Sequence, residues 1–487
     1  LLSQIITIAF GILLPRMFVV GYGSEVNGLL NSLNQLLVYL SLFEAGVGAA
    51  TLQALYRPVA QEDWNSINGI LSATDRYYKK TGKWYFLSLL LLAIFYPLIV
   101  DSSLSYPVIF GTVLFSGLSN VVLFYFQGKY RFLLQADGRT YILNNLATVT
   151  TIMTSISKII LIFLRVNIVV ILMVSFAIQC IQTIYILFYI RRYSYLNLNE
   201  PPMYSTISQK NFALIHEISG LIFRNTDVLI LTMVCGLRVV SVYSMFKLVT
   251  SQLESIINIP ANSISFVLGQ NYQTDKVLYI HRIDLVESYY SGLVYALFSV
   301  ALFLLLPFMR LYTAGVTDIN YIDTWLPPLF VAISLLDKSR TWMLATISYA
   351  GHFKNTLYQT ILESAINLAT SLIGVHIFGI YGVLLGTIIA LLYRTNDIIL
   401  YSNHKLLGRS AGKTYRIYAV NIALMLPVQL LFRVLFAGVN MNSYLRFFAV
   451  AVACTPLSLI IFFGGQMLFF PPCRTFGITI LKKCFHR

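Results

Sequence analysis

The sequence predicts an all-α polytopic membrane protein with about 14 transmembrane helices. Hydrophobic residues make up 57% of the 487 residues and charged residues only 11%, whereas soluble domains carry about 25% charged residues. The mean hydropathy is +0.75. Apolar runs of about 18–28 residues, long enough to cross a hydrocarbon core of about 30 Å, recur along the chain. A β-barrel would instead show short segments of alternating polarity.

The predicted spans follow one another closely along the chain. They lie at 1–20, 29–56, 84–101, 106–127, 141–165, 167–190, 211–236, 240–268, 288–311, 322–349, 357–378, 381–402, 416–437 and 443–470. Turns near Asp101 and Gly379 separate the two tightest pairs. Because the chain starts with Leu1 inside an apolar run, without the basic region or cleavage site of a signal peptide, we expect a preceding segment.

The loops set the orientation of the chain. Lysine and arginine collect in alternate loops, at 57–83, 128–140, 191–210, 276–282, 405–416 and 474–487. Basic loops remain in the cytoplasm, so both termini are predicted to be cytoplasmic. The same distribution explains the net charge of +15 without nucleic acid as a partner.

A weak internal repeat divides the chain. Gly23–Val26 aligns with Gly236–Val239, and in that register Asn34 corresponds to Lys247. Both halves start in the cytoplasm, which predicts parallel repeats with a binding site between them. We therefore expect two pseudo-symmetric six-helix lobes around a central cavity. The predicted domains are an N-lobe at 1–200, a C-lobe at 201–412, and two extra helices with a basic cytoplasmic tail at 413–487.

Polar residues follow helical spacing within several spans. One stripe contains Asn144, Thr148, Thr151, Ser155 and Lys158. Another contains Tyr243, Lys247, Ser251, Glu254 and Asn258. A third, in the second span, contains Asn27, Asn31, Asn34 and Ser41. Residues at i, i+4, i+7 and i+11 share one helix face, and lipid cannot satisfy a polar stripe. These faces are therefore predicted to line a hydrated cavity.

Charged residues also lie within the spans, where a base at the bilayer centre costs at least about 2.5–3.5 kcal/mol. Three acid–base pairs have i, i+3 spacing and can neutralise themselves as purely structural pairs. They are Arg224 with Asp227, Asp337 with Arg340, and Arg394 with Asp397. Arg16 has no nearby acid on its own helix, and Lys247 lies seven residues from Glu254. These two bases favour an anionic ligand.

Motifs for chemistry are missing from the sequence. No GxxxxGK[ST] phosphate loop occurs, the five cysteines show no metal-ligand spacing, and no nucleophile–base pair stands out. We therefore expect a transporter without catalytic residues, bound metal or cofactor.

The N-terminal stretch contains LPR at 14–16, YGSEVNGL at 22–29, EAGVG at 44–48 and YYKKTG at 77–82. With these motifs it resembles bacterial oligosaccharide-lipid flippases of the Wzx type, a polysaccharide transporter family of the multidrug/oligosaccharidyl-lipid/polysaccharide exporter superfamily. The stretch FRNTDVLILTMVCGLRVVSVYSMFKLV at 223–249 looks like the family's seventh and eighth helices.

The resemblance implies a V-shaped, two-lobed transporter in the bacterial cytoplasmic membrane. Its cargo would be an undecaprenyl-diphosphate-linked oligosaccharide, and polysaccharide polymerase and glycosyltransferases are expected partners besides membrane lipid. The family's cavity is cationic, and the substrate-binding candidates here are Arg16, Lys247, Arg224, Lys158 and Arg340. Ion-coupled antiport has been proposed for the family, and the coupling candidates here are Glu254, Glu44, Asp227 and Glu363.

Two alternative functions remain at this stage. A flippase for the peptidoglycan lipid precursor would use the same diphosphate-lipid handle. A multidrug/cation antiporter of the same superfamily would favour acids over bases in its cavity. The bases in these spans are at least as numerous as the acids, which favours an anionic cargo.

Overall fold

The computed structural model describes residues 2–44, 47–198, 200–204, 211–352 and 354–485. Within these ranges the chain folds into α-helices joined by short turns, and they contain no β-strand. By length and composition, nine helical stretches of the described chain are able to cross a membrane. The chain is a multi-pass membrane protein, as predicted.

The helices of the first half are α1 (Leu2–Tyr22), α2 (Ser24–Leu40), α3 (Val47–Ala60), α4 (Trp64–Ile99), α5 (Tyr106–Val122), α6 (Gly128–Ala136), α7 (Thr140–Phe163) and α8 (Ile168–Ile190). Those of the second half are α9 (Asn211–Val234), α10 (Leu237–Thr274), α11 (Lys276–Tyr312), α12 (Leu326–Ser339), α13 (Thr341–Tyr349), α14 (Leu357–Phe378), α15 (Ile380–Tyr401), α16 (Gly412–Leu435), α17 (Tyr444–Phe469) and α18 (Pro471–Phe485).

The predicted helical architecture is confirmed. Three spans are interrupted. The pairs α2 with α3 and α12 with α13 each correspond to one predicted span, whereas α5 continues into α6, which occupies most of the loop predicted at 128–140. The expectation of a loop there is wrong. A 3₁₀ turn at Ser41–Glu44 and a π-helical turn at Leu123–Gln127 accompany two of these interruptions. With α18 set aside, the described helices supply the 14 predicted spans.

The expectation of a loop at 57–83 is wrong. The chain there is helical to Ala60 and again from Trp64, because the side chain of Asp63 caps α4 by accepting a hydrogen bond from Ser66 N at 3.1 Å. Likewise, α10 and α11 run for 38 and 37 residues, well beyond their apolar stretches. Hydropathy marks only the membrane-embedded part of a helix, whereas lysine and arginine are good helix formers.

The fold divides into two compact units, Leu1–Ser241 and Val242–Arg487. In the first unit, buried Leu33, Leu89 and Val113 belong to one core that draws on α2, α4 and α5. In the second, buried Phe298 and Phe432 belong to a core around α11, α16 and α17. Many large apolar side chains elsewhere on these helices are exposed, which suits contact with lipid.

Corresponding positions of the two halves share local structure. Gly23 precedes α2 with φ of 88°, and Gly236 precedes α10 with φ of 82°; glycine adopts such angles at no steric cost. Asp63 and Asp275 cap α4 and α11 in the same way. The two glycines lie 213 positions apart, as in the register read from the sequence, and the two caps lie 212 apart. These positions therefore support an internal repeat with a shift of one residue between them.

Candidate functional site: a polar cavity and a buried ion network

The first unit encloses a cavity of about 560 Å³ among α1, α2, α5, α7 and α8. This volume lies within the range of about 300–1,000 Å³ that is typical of small-molecule sites. Polar residues from two predicted stripes line it: Asn27, Asn31 and Asn34 from α2, and Thr151, Ser155 and Lys158 from α7. The structure therefore brings these two stripes to one cavity.

Hydroxyl and amide groups around this cavity are held by their own helices. Thr151 and Thr154 each donate to a backbone carbonyl one turn earlier at 2.8 Å, and Asn31 Nδ2 donates to Asn27 O at 2.8 Å. Because their hydrogen atoms are bonded to backbone carbonyls, these side chains keep oxygen lone pairs that can accept further hydrogen bonds. The wall can therefore accept hydrogen bonds from a polar ligand.

Lys158 provides the positive charge of the cavity wall. Its side chain is half-buried, and the described residues that line the cavity include no aspartate or glutamate. Lys158 forms no ion pair within the described part of the chain. An ammonium group in such a place is stabilised by an anionic ligand.

The other predicted bases are distributed over both units. In the first unit, Arg16 is half-buried on α1 beside Pro15, which lines the cavity, and Arg224 is exposed on α9. In the second unit, Lys247 Nζ lies 3.4 Å from the hydroxyl of Tyr243 and 5.4 Å from the centroid of its ring. Each unit thus carries predicted substrate contacts of its own.

An ion network occupies the second unit. Lys338 Nζ lies 3.2 Å from Glu254 Oε2 and 3.1 Å from Asp337 Oδ2. Arg340 Nη2 lies 2.9 Å from Asp337 Oδ1, and Arg340 also pairs with Glu363. The network therefore joins α10, α12 and α14 through charged side chains.

The same network extends to α15. Arg394 pairs with Asp397 and lies 3.7 Å, Nε to Oε2, from Glu363. Arg394 also donates to Thr360 Oγ1 at 3.0 Å. Glu363 and Arg394 are nearly inaccessible to solvent. The predicted pairs Asp337–Arg340 and Arg394–Asp397 do form, and Glu363 connects them.

The predicted coupling acids have different surroundings. Glu254 accepts a hydrogen bond from Ser334 Oγ at 2.7 Å in addition to its ion pair with Lys338, so it belongs to the network with Glu363. Glu44 accepts a hydrogen bond from the buried Tyr78 in the first unit. Asp227 is buried on α9, in the first unit.

Two features were not predicted from the sequence: the pairing of Lys338 with Glu254, and the burial of Glu287 just before the span predicted at 288–311. Glu287 is buried within α11, where it accepts hydrogen bonds from Thr414 Oγ1 and Tyr418 OH, both at 3.3 Å. In both cases the partner lies on another helix, which spacing along one helix does not reveal. The hydropathy pattern did not predict burial of Glu287, because this acid lies just before the apolar stretch.

Comparison with known proteins identifies the fold. No protein-family model and no curated protein matches the chain. Among solved structures, the inward closed conformation of the lipid II flippase MurJ matches with a TM-score of 0.63 and 13% identity, covering 96% of this chain and 99% of MurJ.

An inward-facing multidrug resistance MATE transporter of the MOP superfamily matches with a TM-score of 0.62 and 15% identity, covering 84% of this chain and 96% of that one. A MATE structure in the bent conformation matches with a TM-score of 0.53 and 15% identity, covering 86% and 94%. The chain has the fold of the MATE and MurJ transporters. The MurJ match extends over more of the chain than either MATE match.

Proposed function

We propose that the protein is a flippase that moves undecaprenyl-diphosphate-linked oligosaccharide repeat units to the outer leaflet of the bacterial cytoplasmic membrane, for capsule, O-antigen or exopolysaccharide synthesis. The observation that carries this proposal is the cavity of the first unit, whose described wall combines hydroxyl and amide groups with Lys158 and no acid. A hydroxyl-rich, anionic cargo complements such a wall, whereas a cationic drug meets repulsion.

The diphosphate is assigned to Arg16 and Lys247. Arginine binds phosphate oxygens in a bidentate manner, and lysine acts as a point charge. Arg224, Lys158 and Arg340 remain further candidates for cargo contact. The charge of Arg340 is opposed by Asp337 and Glu363, so its contribution requires these carboxylates to be protonated or displaced.

Coupling to an ion gradient is assigned first to Glu254. Its ion pair with Lys338 supplies a mechanism. Protonation of the carboxylate removes one negative charge from the network and leaves Lys338 opposed by Asp337 alone, so the network becomes more positive and attracts an anion more strongly. Release of the proton restores the pair and favours release of the cargo. Glu44, Asp227 and Glu363 are the other acids for this role.

The peptidoglycan precursor is the second candidate cargo. The MurJ match supports it, because that match covers 96% of the chain. Both cargoes carry a diphosphate on a polyprenyl lipid, so the same bases serve either one. The two functions differ in the sugar portion, and comparison of both lipids in one flipping assay separates them.

The proposal is tested by Arg16→Ala and Lys247→Ala in cells that depend on this protein for polysaccharide export. Each variant is expected to lose export at near-normal abundance, because the diphosphate loses a charged contact. The matched control is Arg446→Ala, which removes an exposed arginine from α17 and is expected to export normally. Normal export by both cavity variants would refute the assignment.

A further inference from the structure

The charge balance of the first-unit cavity distinguishes it from a site for neutral sugars. Neutral sugars need hydrogen-bonding groups and apolar faces, and the wall supplies both, with Asn34 and Asn120 beside Phe115 and Phe176. Binding of a neutral sugar does not require an ammonium group. Lys158 nevertheless lies in the wall, on the intramembrane part of α7, and the described lining includes no acid to balance it.

A ligand that carries a negative charge would stabilise this ammonium group, because an uncompensated ammonium within the membrane is costly. Neighbouring groups suit a sugar ring. Thr154 and Ser155 line the cavity on the same helix as Lys158, and Ser175 and Gln179 line it from α8. Hydroxyl and amide groups near a cation fit a ring that carries both hydroxyls and an acidic group.

We propose that this cavity binds a sugar ring of the cargo, and that the ring carries a carboxylate which pairs with Lys158. The protein would thus select acidic glycans, those that contain uronic acids, over neutral ones. This inference rests on the proposed function and deepens it by naming the class of sugar. A sugar carboxylate and the lipid diphosphate both present negatively charged oxygens to Lys158, so the test measures binding of each.

The first experiment measures binding of three soluble probes to the purified full-length protein by saturation-transfer NMR. The probes are glucuronate, glucose and inorganic diphosphate. Glucuronate is expected to bind at least about tenfold more tightly than glucose, because a charge-assisted hydrogen bond adds to the shared hydroxyl contacts. Equal binding of glucose and glucuronate would overturn the inference.

Three variants locate the contact. Lys158→Met keeps the length of the side chain without its charge and is expected to weaken glucuronate binding at least about tenfold. Lys158→Arg keeps the charge and should bind glucuronate nearly as wild type does. Arg446→Gln removes an exposed cation elsewhere and should change nothing. Unchanged glucuronate binding by a folded Lys158→Met would overturn the inference.

Binding of inorganic diphosphate shows whether Lys158 contacts the sugar carboxylate or the lipid diphosphate. If diphosphate binding depends on Lys158 while glucuronate does not bind, Lys158 contacts the lipid handle and the acidic-sugar assignment fails. Flipping of lipid-linked cargo in vesicles tests the proposed function independently. Cargo that flips without glucuronate binding overturns only this inference, whereas the absence of any flipping refutes the function itself.

Discussion

Replacement of Glu363 by glutamine should destabilise the second unit more than the loss of an exposed ion pair does. Glu363 is buried between Arg394, which is nearly inaccessible to solvent, and Arg340, whose side chain is 11% exposed. Glutamine preserves the volume of the side chain but removes the negative charge. Both arginines then keep only one carboxylate each, Asp337 and Asp397 respectively.

The size of the effect follows from this geometry. Removal of one partner from a buried ion pair costs about 3–5 kcal/mol. The lower end, about 3 kcal/mol, applies here because the two remaining carboxylates still oppose both arginines. For a unit that spans Val242–Arg487, this corresponds to a fall in melting temperature of about 6–12 °C.

Thiol reactivity on heating provides the assay. Cys454 and Cys473 are buried in the second unit and become accessible to a fluorogenic thiol reagent when that unit unfolds. Lys413→Met is the control, because Lys413 pairs with Asp284 in the same unit while remaining 63% exposed, and such pairs contribute about 0–1 kcal/mol. Equal melting temperatures for Glu363→Gln and the control would refute the reasoning.

Three further predictions concern packing, coupling and topology. A Cβ atom at Gly382 would lie 1.9 Å from the carbonyl oxygen of Gly374, so Gly382→Ala should cost about 1–3 kcal/mol in the same thermal assay. Gly464→Ala is the control, because nothing lies within 4 Å of the added Cβ atom, and it should not destabilise the unit. Equal melting temperatures for Gly382→Ala and Gly464→Ala would contradict this prediction. Glu254→Gln should abolish the pH-gradient dependence of flipping in vesicles, and full retention would exclude Glu254 as the coupling group. A cysteine at position 405 should react with a membrane-impermeant thiol reagent only in opened cells, and labelling in intact cells would reverse the topology.

Most of the fold was readable from the sequence because membrane insertion imposes a strong local rule. A run of apolar residues must form a helix that satisfies its own backbone, so the spans and their order required no knowledge of packing. Helix ends outside the membrane lack that constraint. The extensions at Trp64 and Lys276 depend on the caps Asp63 and Asp275, which hydropathy ignores.

The candidate site was readable only in part, for a related reason. Stripes on one helix follow from periodicity, and the polar faces that contain Asn31 and Lys158 do meet at one cavity. Contacts between helices depend on rotation and depth, which no spacing rule determines. The partnership of Lys338 with Glu254, 84 positions apart, therefore required the structure.

Asp75 and Glu287 show that the two halves stabilise a buried acid in different ways. Both are buried acids eleven positions after the first residue of their helices, α4 and α11. Asp75 pairs with Lys129 from its own repeat, whereas Glu287 relies on Arg409, Thr414 and other groups beyond α15.

A shortened chain that ended at α15 would leave the carboxyl group of Glu287 without these donors inside the protein, at a cost of several kcal/mol. The second unit therefore depends on α16 and on the segment before it for its stability, whether or not that helix touches the cargo.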